Sequence, residues 1–214
     1  RGTTAMNTGE LKALFRSYTD EADTSFLSDA DVALYLKIGY ERFRAMVNST
    51  NEFHYMLELD AIPNSRNYTI AVDFDSLLSI HRVSTANSLA YEELLAVTRP
   101  EELYESSSGR QTIRYYLRGS RVRFSAEVTT QLRFAYIPRS TVDFAAAADP
   151  IDTLAPYHDL IALLAYSNYA VRDGEINQPL EYLLQQRTAE FKSYLQEGLS
   201  REQNSTIADV PDLL

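Results

Sequence analysis

The stretch TIRYYLRGSRVRFSAE, residues 112–127, decides the fold. Apolar and polar residues alternate on both sides of its central Gly-Ser pair, which is the pattern of two strands joined by a two-residue turn. The predicted register places Leu117 opposite Val122 and Tyr115 opposite Phe124. These four side chains then form one apolar face of an antiparallel hairpin.

The other face of the hairpin collects basic side chains. The same register places Arg118 opposite Arg121 and Tyr116 opposite Arg123. We expect QLRFAYIP, residues 131–138, to pair next to the hairpin as a third strand. The predicted surface, called the Arg face below, comprises Arg114, Arg118, Arg121, Arg123 and Arg133.

In the sequence before the hairpin, the spacing of apolar residues changes from a helical period to a period of two. Thr8 is predicted to cap a first short helix, and Ser28 to cap a longer one. Gly39 lies on the apolar stripe of the second helix and indicates either a close helix–helix approach or a tolerated glycine. Residues 67–74 and 76–83 then read as strands, and residues 86–111 as short helical turns and a polar loop.

After residue 138, the spacing of apolar residues returns to a helical period. PYHDLIALLAYSNYAVRDGE, residues 156–175, opens with a proline and holds seven consecutive apolar residues at 160–166. A helix without a polar face is typical of a central helix or an oligomer interface. Asn177 is predicted to cap a last helix over residues 178–200.

These patterns predict an α+β fold, in which a four-helix α domain carries an inserted antiparallel β domain and ends in an extended C-terminal tail. The expected boundaries are 1–50 plus 150–202 for the helical domain and 51–149 for the insertion. Residues 203–214 form the tail, because they are polar at first and contain Pro211.

Composition argues against several classes of function. The chain has no cysteine, and its 30 acidic against 20 basic residues give a net charge of -10, which repels nucleic-acid phosphate. His158 and Asp159 are neighbours in a predicted helix, so their side chains diverge and cannot act as base and orienting group. No glycine-rich phosphate loop occurs. We predict no catalytic, cofactor-binding or metal-ligating residue, and no enzymatic activity.

The sequence also shows no pattern of an export signal or of a membrane anchor. The first ten residues lack an apolar core, and no apolar run approaches the ~20 residues of a membrane span. We therefore expect a chain that is neither exported nor anchored in a membrane.

The Arg face leaves two interpretations open. Arginine and tyrosine are enriched at protein interfaces, so this face can meet carboxylates of the same or a neighbouring subunit. The alternative is a nucleic-acid-binding module that uses the same arginines, although the acidic surroundings disfavour it.

The order of elements resembles a known family. SDADVALYLKIGYERFRAMV as the second helix, YYLRGSRVRF with TTQLRFAYIP in the β region, and PYHDLIALLAYSNYAVRDGE at the last helical pair look like the head-to-tail adaptor proteins of tailed bacteriophages. This family includes head-completion proteins and the podovirus tail tubular protein A. The resemblance spans most of residues 8–200, and residues 86–111 have no counterpart in it.

The resemblance implies a structural virion protein of the neck or tail, assembled in the host cytoplasm. It implies a homo-oligomeric ring, a dodecamer in the family, that docks under the portal protein and extends the DNA channel for genome ejection. The ring offers its lower surface to the next tail component, a nozzle or tail-tube protein, and it can also contact a tail fibre. DNA passes through without tight binding.

The C-terminal tail is implied to bind the portal. The expected portal-binding residues are Asn204, Ser205, Thr206, Ile207, Ala208, Asp209, Val210, Pro211, Asp212, Leu213 and Leu214.

Overall fold

A computed structural model describes residues 6–20, 27–51, 53–70, 73–83, 91–104, 113–147, 151, 154–174 and 177–207. The chain divides into two compact units. Arg1–His54 and Thr141–Leu214 form a helical unit, and Tyr55–Ser140 form a β unit. The α+β class, with an inserted antiparallel-rich β region, is confirmed.

The helical unit takes in more of the chain after the β unit than the predicted insertion of residues 51–149 allows. Gly9 N donates to Ala147 O at 2.9 Å. Phe144 is fully buried and its ring lies edge-on to Tyr40, with centroids 5.7 Å apart. These contacts attach the irregular segment after residue 140 to the helices.

Within the described residues, four α-helices build the helical unit: α1 (Thr8–Thr19), α2 (Asp29–Thr50), α3 (His158–Asp173) and α4 (Gln178–Ile207). Asn7 caps α1 in a capping box with Glu10, so the predicted cap at Thr8 is wrong by one residue and Thr8 is the first residue of the helix. Ser28 caps α2 by accepting from Asp31 N, as predicted.

Helix α3 is the centre of this unit. It contacts α1, α2 and α4, and its residues 160–166 are all buried. Gly39 of α2 lies against it so closely that an added Cβ would stand 2.6 Å from Ile161 O and 2.8 Å from Ala165 N. Of the two interpretations of Gly39, the structure supports the close helix–helix approach.

Aromatic rings join the helices around α3. Phe15 of α1 stacks on Tyr35 of α2 at 5.9 Å, and Tyr169 of α3 meets Tyr35 edge-on at 5.7 Å. Phe43 of α2 stacks on Phe191 of α4 at 4.7 Å. The four helices therefore share one aromatic-rich core.

Helix α4 is longer than predicted. It continues to Ile207, so the predicted extended conformation is wrong for residues 203–207. Arg201, Glu202 and Gln203 are good helix formers, and Pro211 excludes helix only near its own position. The rest of the predicted tail, residues 208–214, lies outside the described residues.

In the part of the β unit that the structure describes there are eight strands: β1 (Leu57–Ala61), β2 (Ser65–Thr69), β3 (Phe74–Val83), β4 (Tyr91–Glu93), β5 (Leu95–Ala96), β6 (Arg114–Arg118), β7 (Arg121–Val128) and β8 (Leu132–Pro138). They form two four-stranded sheets with the orders β1-β8-β3-β4 and β2-β7-β6-β5. Every pair is antiparallel except β5 with β6.

The predicted hairpin register is confirmed. Tyr115 lies opposite Phe124, Leu117 opposite Val122, and Arg118 opposite Arg121. The predicted pairing of residues 131–138 beside the hairpin is wrong, because β8 belongs to the other sheet and lies between β1 and β3.

The position of β8 has a physical reason in its own sequence. Phe134, Ala135, Tyr136 and Ile137 are consecutive and all buried, so both faces of the strand are covered. Because β8 lacks the polar face that the hairpin strands keep, its pattern does not match theirs.

The core of the β unit lies between the two sheets. Val122 and Phe124 come from one sheet, and Ile80 and Phe134 from the other, and all four are fully buried. Tyr68 of β2 stacks on Phe134 of β8 at 4.9 Å. The two apolar sheet faces thus cover each other.

Two further strand predictions have different outcomes. The predicted strand at 76–83 is confirmed as part of β3, whereas residues 67–74 do not form one strand, since β2 ends at Thr69 and β3 begins at Phe74. Between 86 and 111, the 3-10 helix Pro100–Tyr104 fits the predicted helical turns, whereas β4 and β5 are strands that were not predicted. Residues 84–90 and 105–112 lie outside the described residues.

Candidate interaction surface

The turn of the hairpin presents the arginines at an open end of the sheet. Gly119 has φ +58, in the left-handed region that glycine adopts without strain, and an added Cβ there would meet nothing within 4 Å. The side chains of Arg118 and Arg121, on either side of this turn, are exposed.

The outer face of the β2-β7-β6 ribbon forms one continuous surface. Residues paired across strands point to the same face, so the register alone places them together. Thr69, Arg121 and Arg118 form the row next to the turn, and Asn67, Arg123 and Tyr116 form the next one. The hairpin patch is defined here as Arg118, Arg121, Arg123, Tyr116 and Tyr104.

The 3-10 helix supplies Tyr104 to this patch. The guanidinium carbon of Arg123 lies 5.8 Å from the centroid of the Tyr104 ring, which is 53% exposed. Arg114 Nη1 donates to Glu102 O at 2.7 Å and thereby attaches the same helix to β6. Arg114 therefore has a structural role. The place of Tyr104 in the patch was not predicted from the sequence.

The charges of the patch are not neutralised within the part of the chain that the structure describes. No carboxylate there forms a salt bridge with Arg118, Arg121 or Arg123. Like charges directly opposite each other on neighbouring strands are unfavourable, and Arg118 faces Arg121. The patch is thus an exposed cluster of positive charge on an acidic protein.

Arg133 does not belong to this surface, so the predicted Arg face is wrong in that member. It lies on β8, in the other sheet, where its Nε donates to Asp60 Oδ1 at 2.7 Å and its Nη2 to Asp60 Oδ2 at 2.9 Å. Its Nη1 lies 3.1 Å from Glu58 Oε2. Glu58 and Asp60 alternate along β1, and this period-two pair of acids was the sequence signal for the contact.

The helical unit holds a second ion-pair cluster that was not predicted. Arg187 of α4 donates to both carboxylate oxygens of Asp159, at 2.7 Å each, and to Pro156 O and Glu190 Oε2. The Asp159 hydrogen bonds hold the pKa of the guanidinium above its ordinary value. The ring of Tyr157 also lies under this guanidinium, at 5.1 Å. Asp159 thus fastens α3 to α4 rather than orienting His158.

The three histidines have different surroundings. His158 is fully buried, and its Nδ1 accepts a hydrogen bond from Met6 N at 3.1 Å. His81 Nε2 lies 2.8 Å from Ser79 Oγ, and His54 is half-buried. No group of three potential metal ligands occurs among the described residues.

An apolar cleft lies between α3 and α4. Its walls are mainly Tyr166, Ala170, Val171, Leu180 and Leu184, and Glu181 is its one titratable side chain besides Tyr166. Its lining also includes the hydroxyl of Ser167, but no histidine or lysine among the described residues lies beside it.

Comparison of the sequence with models of protein families and with curated proteins finds no match. Within the described residues, no helix is both long enough and apolar enough to span a bilayer.

Proposed function

We propose that the chain is a structural subunit of a head-to-tail adaptor in a tailed bacteriophage. In this proposal it forms a homo-oligomeric ring under the portal protein in the virion neck, extends the DNA channel and carries the next tail component. It is not an enzyme in this role.

The observation that carries the proposal is the discontinuous helical unit interrupted by a compact antiparallel β unit. Helices α1 and α2 precede the insertion and α3 and α4 follow it, yet all four share the core around α3. This order is the one that the resemblance to the adaptor family implies. A net charge of -10 suits a conduit through which DNA must slide without adhering.

Helix α4 leads toward the proposed anchor. It runs as a helix to Ile207, about three turns beyond Leu195. We infer that the end of this helix carries the residues after 207 toward the portal, where Val210, Leu213 and Leu214 gain by burial.

Electron micrographs of the purified protein, alone and with its portal protein, test the proposal. We expect rings with a central hole, seated on the portal when it is present. Truncation after Ile207 should leave the thermal stability unchanged and abolish attachment to DNA-filled heads. Full attachment of the truncated chain would shift the anchor to the helical unit, and a lack of rings under every condition would refute the adaptor function.

The hairpin patch favours a second candidate, a nucleic-acid-binding module. Three exposed arginines next to two tyrosines can contact phosphates and stack on bases. Fluorescence anisotropy with labelled duplex and single-stranded DNA separates the candidates. Salt-sensitive, submicromolar binding that Arg121→Glu abolishes would favour this one.

A further inference from the structure

We propose that the hairpin patch binds a carboxylate-rich surface of a second copy of this chain, in a head-to-tail contact. The inference rests on the proposed ring, and it specifies one side of the contact between neighbouring subunits. The patch comprises Arg118, Arg121, Arg123, Tyr116 and Tyr104, as defined above.

The charge of the patch excludes a contact of the patch with itself. If a two-fold axis passed through the patch, Arg118 and Arg121 of one copy would face the same arginines of the other. That arrangement would bury like charges against each other. The patch must therefore meet a different surface of the second copy. In the proposed ring this contact is head-to-tail, since head-to-tail contacts close a ring or continue as a filament.

The charge of the whole chain favours carboxylates over phosphates as the partner groups. With a net charge of -10, a second copy offers many carboxylates, whereas a long polyanion that reached the patch would also lie beside the acidic remainder of the protein. Guanidinium groups bind carboxylates in a planar, two-point geometry. The Arg133 pair with Asp60 shows this geometry elsewhere in the same unit.

The architecture of the patch suits a protein contact. Its arginines stand on paired strands, and Tyr104 is held beside Arg123 by the 3-10 helix, which Arg114 fastens to β6. A fixed surface of arginine and tyrosine loses little conformational freedom on binding, and these residue types dominate the energetics of protein interfaces.

Sedimentation of the full chain over a range of concentrations, at low and high salt, measures the contact. We expect self-association that weakens with salt, and an increase of about 30-fold or more in the subunit dissociation constant for the Arg118→Glu, Arg121→Glu double variant. Arg139→Glu is the matched control, because Arg139 is exposed and follows β8 of the other sheet. This variant should associate like the wild type.

A second variant identifies the carboxylates without disturbing the charge. Arg121→Lys introduces an amine, which a carbodiimide joins to a carboxylate in direct contact with it, and mass spectrometry then locates the new link. We expect an intersubunit link from position 121 to an Asp or Glu outside the patch.

The outcomes separate this inference from the proposed function. Rings of the double variant as stable as those of the wild type would overturn the patch contact and leave the adaptor proposal standing. A wild type that stays monomeric throughout and forms no ring on the portal would overturn both. Loss of duplex DNA binding, instead of self-association, in the double variant would replace the second copy by nucleic acid.

Discussion

The helical unit and the hairpin of the β unit use their arginines in different ways. In the helical unit, Arg16 reaches Leu27 O and Asp29, Arg172 donates to the hydroxyl of Tyr35, and Arg187 binds Asp159. At the hairpin, Arg118 and Arg121 project from paired strands without a salt bridge in the described part of the chain. The first set holds helices together, whereas the second is available to a partner.

The cores of the two units also differ. The helical unit depends on a close approach of backbones at Gly39 and on rings stacked between helices. The β unit depends on large side chains that fill the space between two sheets, with Phe134 at the centre. Substitutions should therefore affect the stability of the two units by different mechanisms.

Removal of the Phe134 ring tests the core of the β unit. Phe134 is fully buried and stacked on Tyr68, so Phe134→Ala should lower the free energy of unfolding by about 3–5 kcal/mol. Urea unfolding followed by circular dichroism measures the loss. Leu57→Ala is the control, since Leu57 is 48% exposed and its truncation should cost under about 1 kcal/mol. Equal losses for both variants would contradict the assignment of the core.

Addition of a methyl group tests the close approach in the helical unit. Gly39→Ala should destabilise the protein by about 1–3 kcal/mol, because the new Cβ would meet backbone atoms of α3 that cannot move independently. Thermal and urea unfolding measure the change.

Gly198 gives the matched control for this substitution. It also lies inside a helix, but an added Cβ would meet nothing within 4 Å. Gly198→Ala should stabilise the protein, by up to about 1 kcal/mol, through helix propensity alone. If both alanine variants were stabilised, Gly39 would be a tolerated glycine and not a packing requirement.

The sequence predicts those features that depend on local pattern. The hairpin register follows from alternation around one turn, and the start of α2 follows from Ser28 and Asp31. The polar ribbon of Arg118, Arg121 and Arg123 could be identified in the same way.

Features that depend on contacts distant in sequence were missed. The residue pattern predicts that β8 is a strand. Its hydrogen bonding to β1 and β3 rather than to β7 depends on tertiary contacts that the local pattern does not specify. Arg133 was assigned to the wrong surface for this reason. The Arg187–Asp159 pair and the position of Tyr104 beside Arg123 likewise join segments that no local pattern relates.

Neutralisation of Arg187 tests the charged contact between α3 and α4. Arg187→Met keeps much of the side-chain length and leaves Asp159 without its two-point donor, so we expect a loss of about 1–2 kcal/mol. Asp29→Asn is the comparison, because Asp29 is 71% exposed and its pair with Arg16 should contribute under about 0.5 kcal/mol. Urea unfolding of the two variants measures both values, and a larger loss for Asp29→Asn would reverse the ranking.

The smallest expected effect concerns pH and the Arg133–Asp60 pair. The hydrogen bond from Arg133 holds the pKa of Asp60 below its ordinary value of 3.8. A carboxyl whose pKa is lowered in the folded state stabilises the protein above its ordinary pKa, and this stabilisation disappears as the pH falls through the folded value. Asp60 is 37% exposed, so solvent limits the contribution to under about 1 kcal/mol.

Asp60→Asn should therefore be slightly less stable than the wild type at neutral pH, and the difference should shrink in acid below the ordinary carboxyl range. Unfolding by urea at a series of pH values measures this difference, with the exposed Glu101→Gln as the control. A difference that grew on acidification would mean that Asp60 is stabilised in its neutral form. The Arg133–Asp60 contact would then not be ionic, and the pair of Arg133 with Glu58 would carry the charged link between β8 and β1.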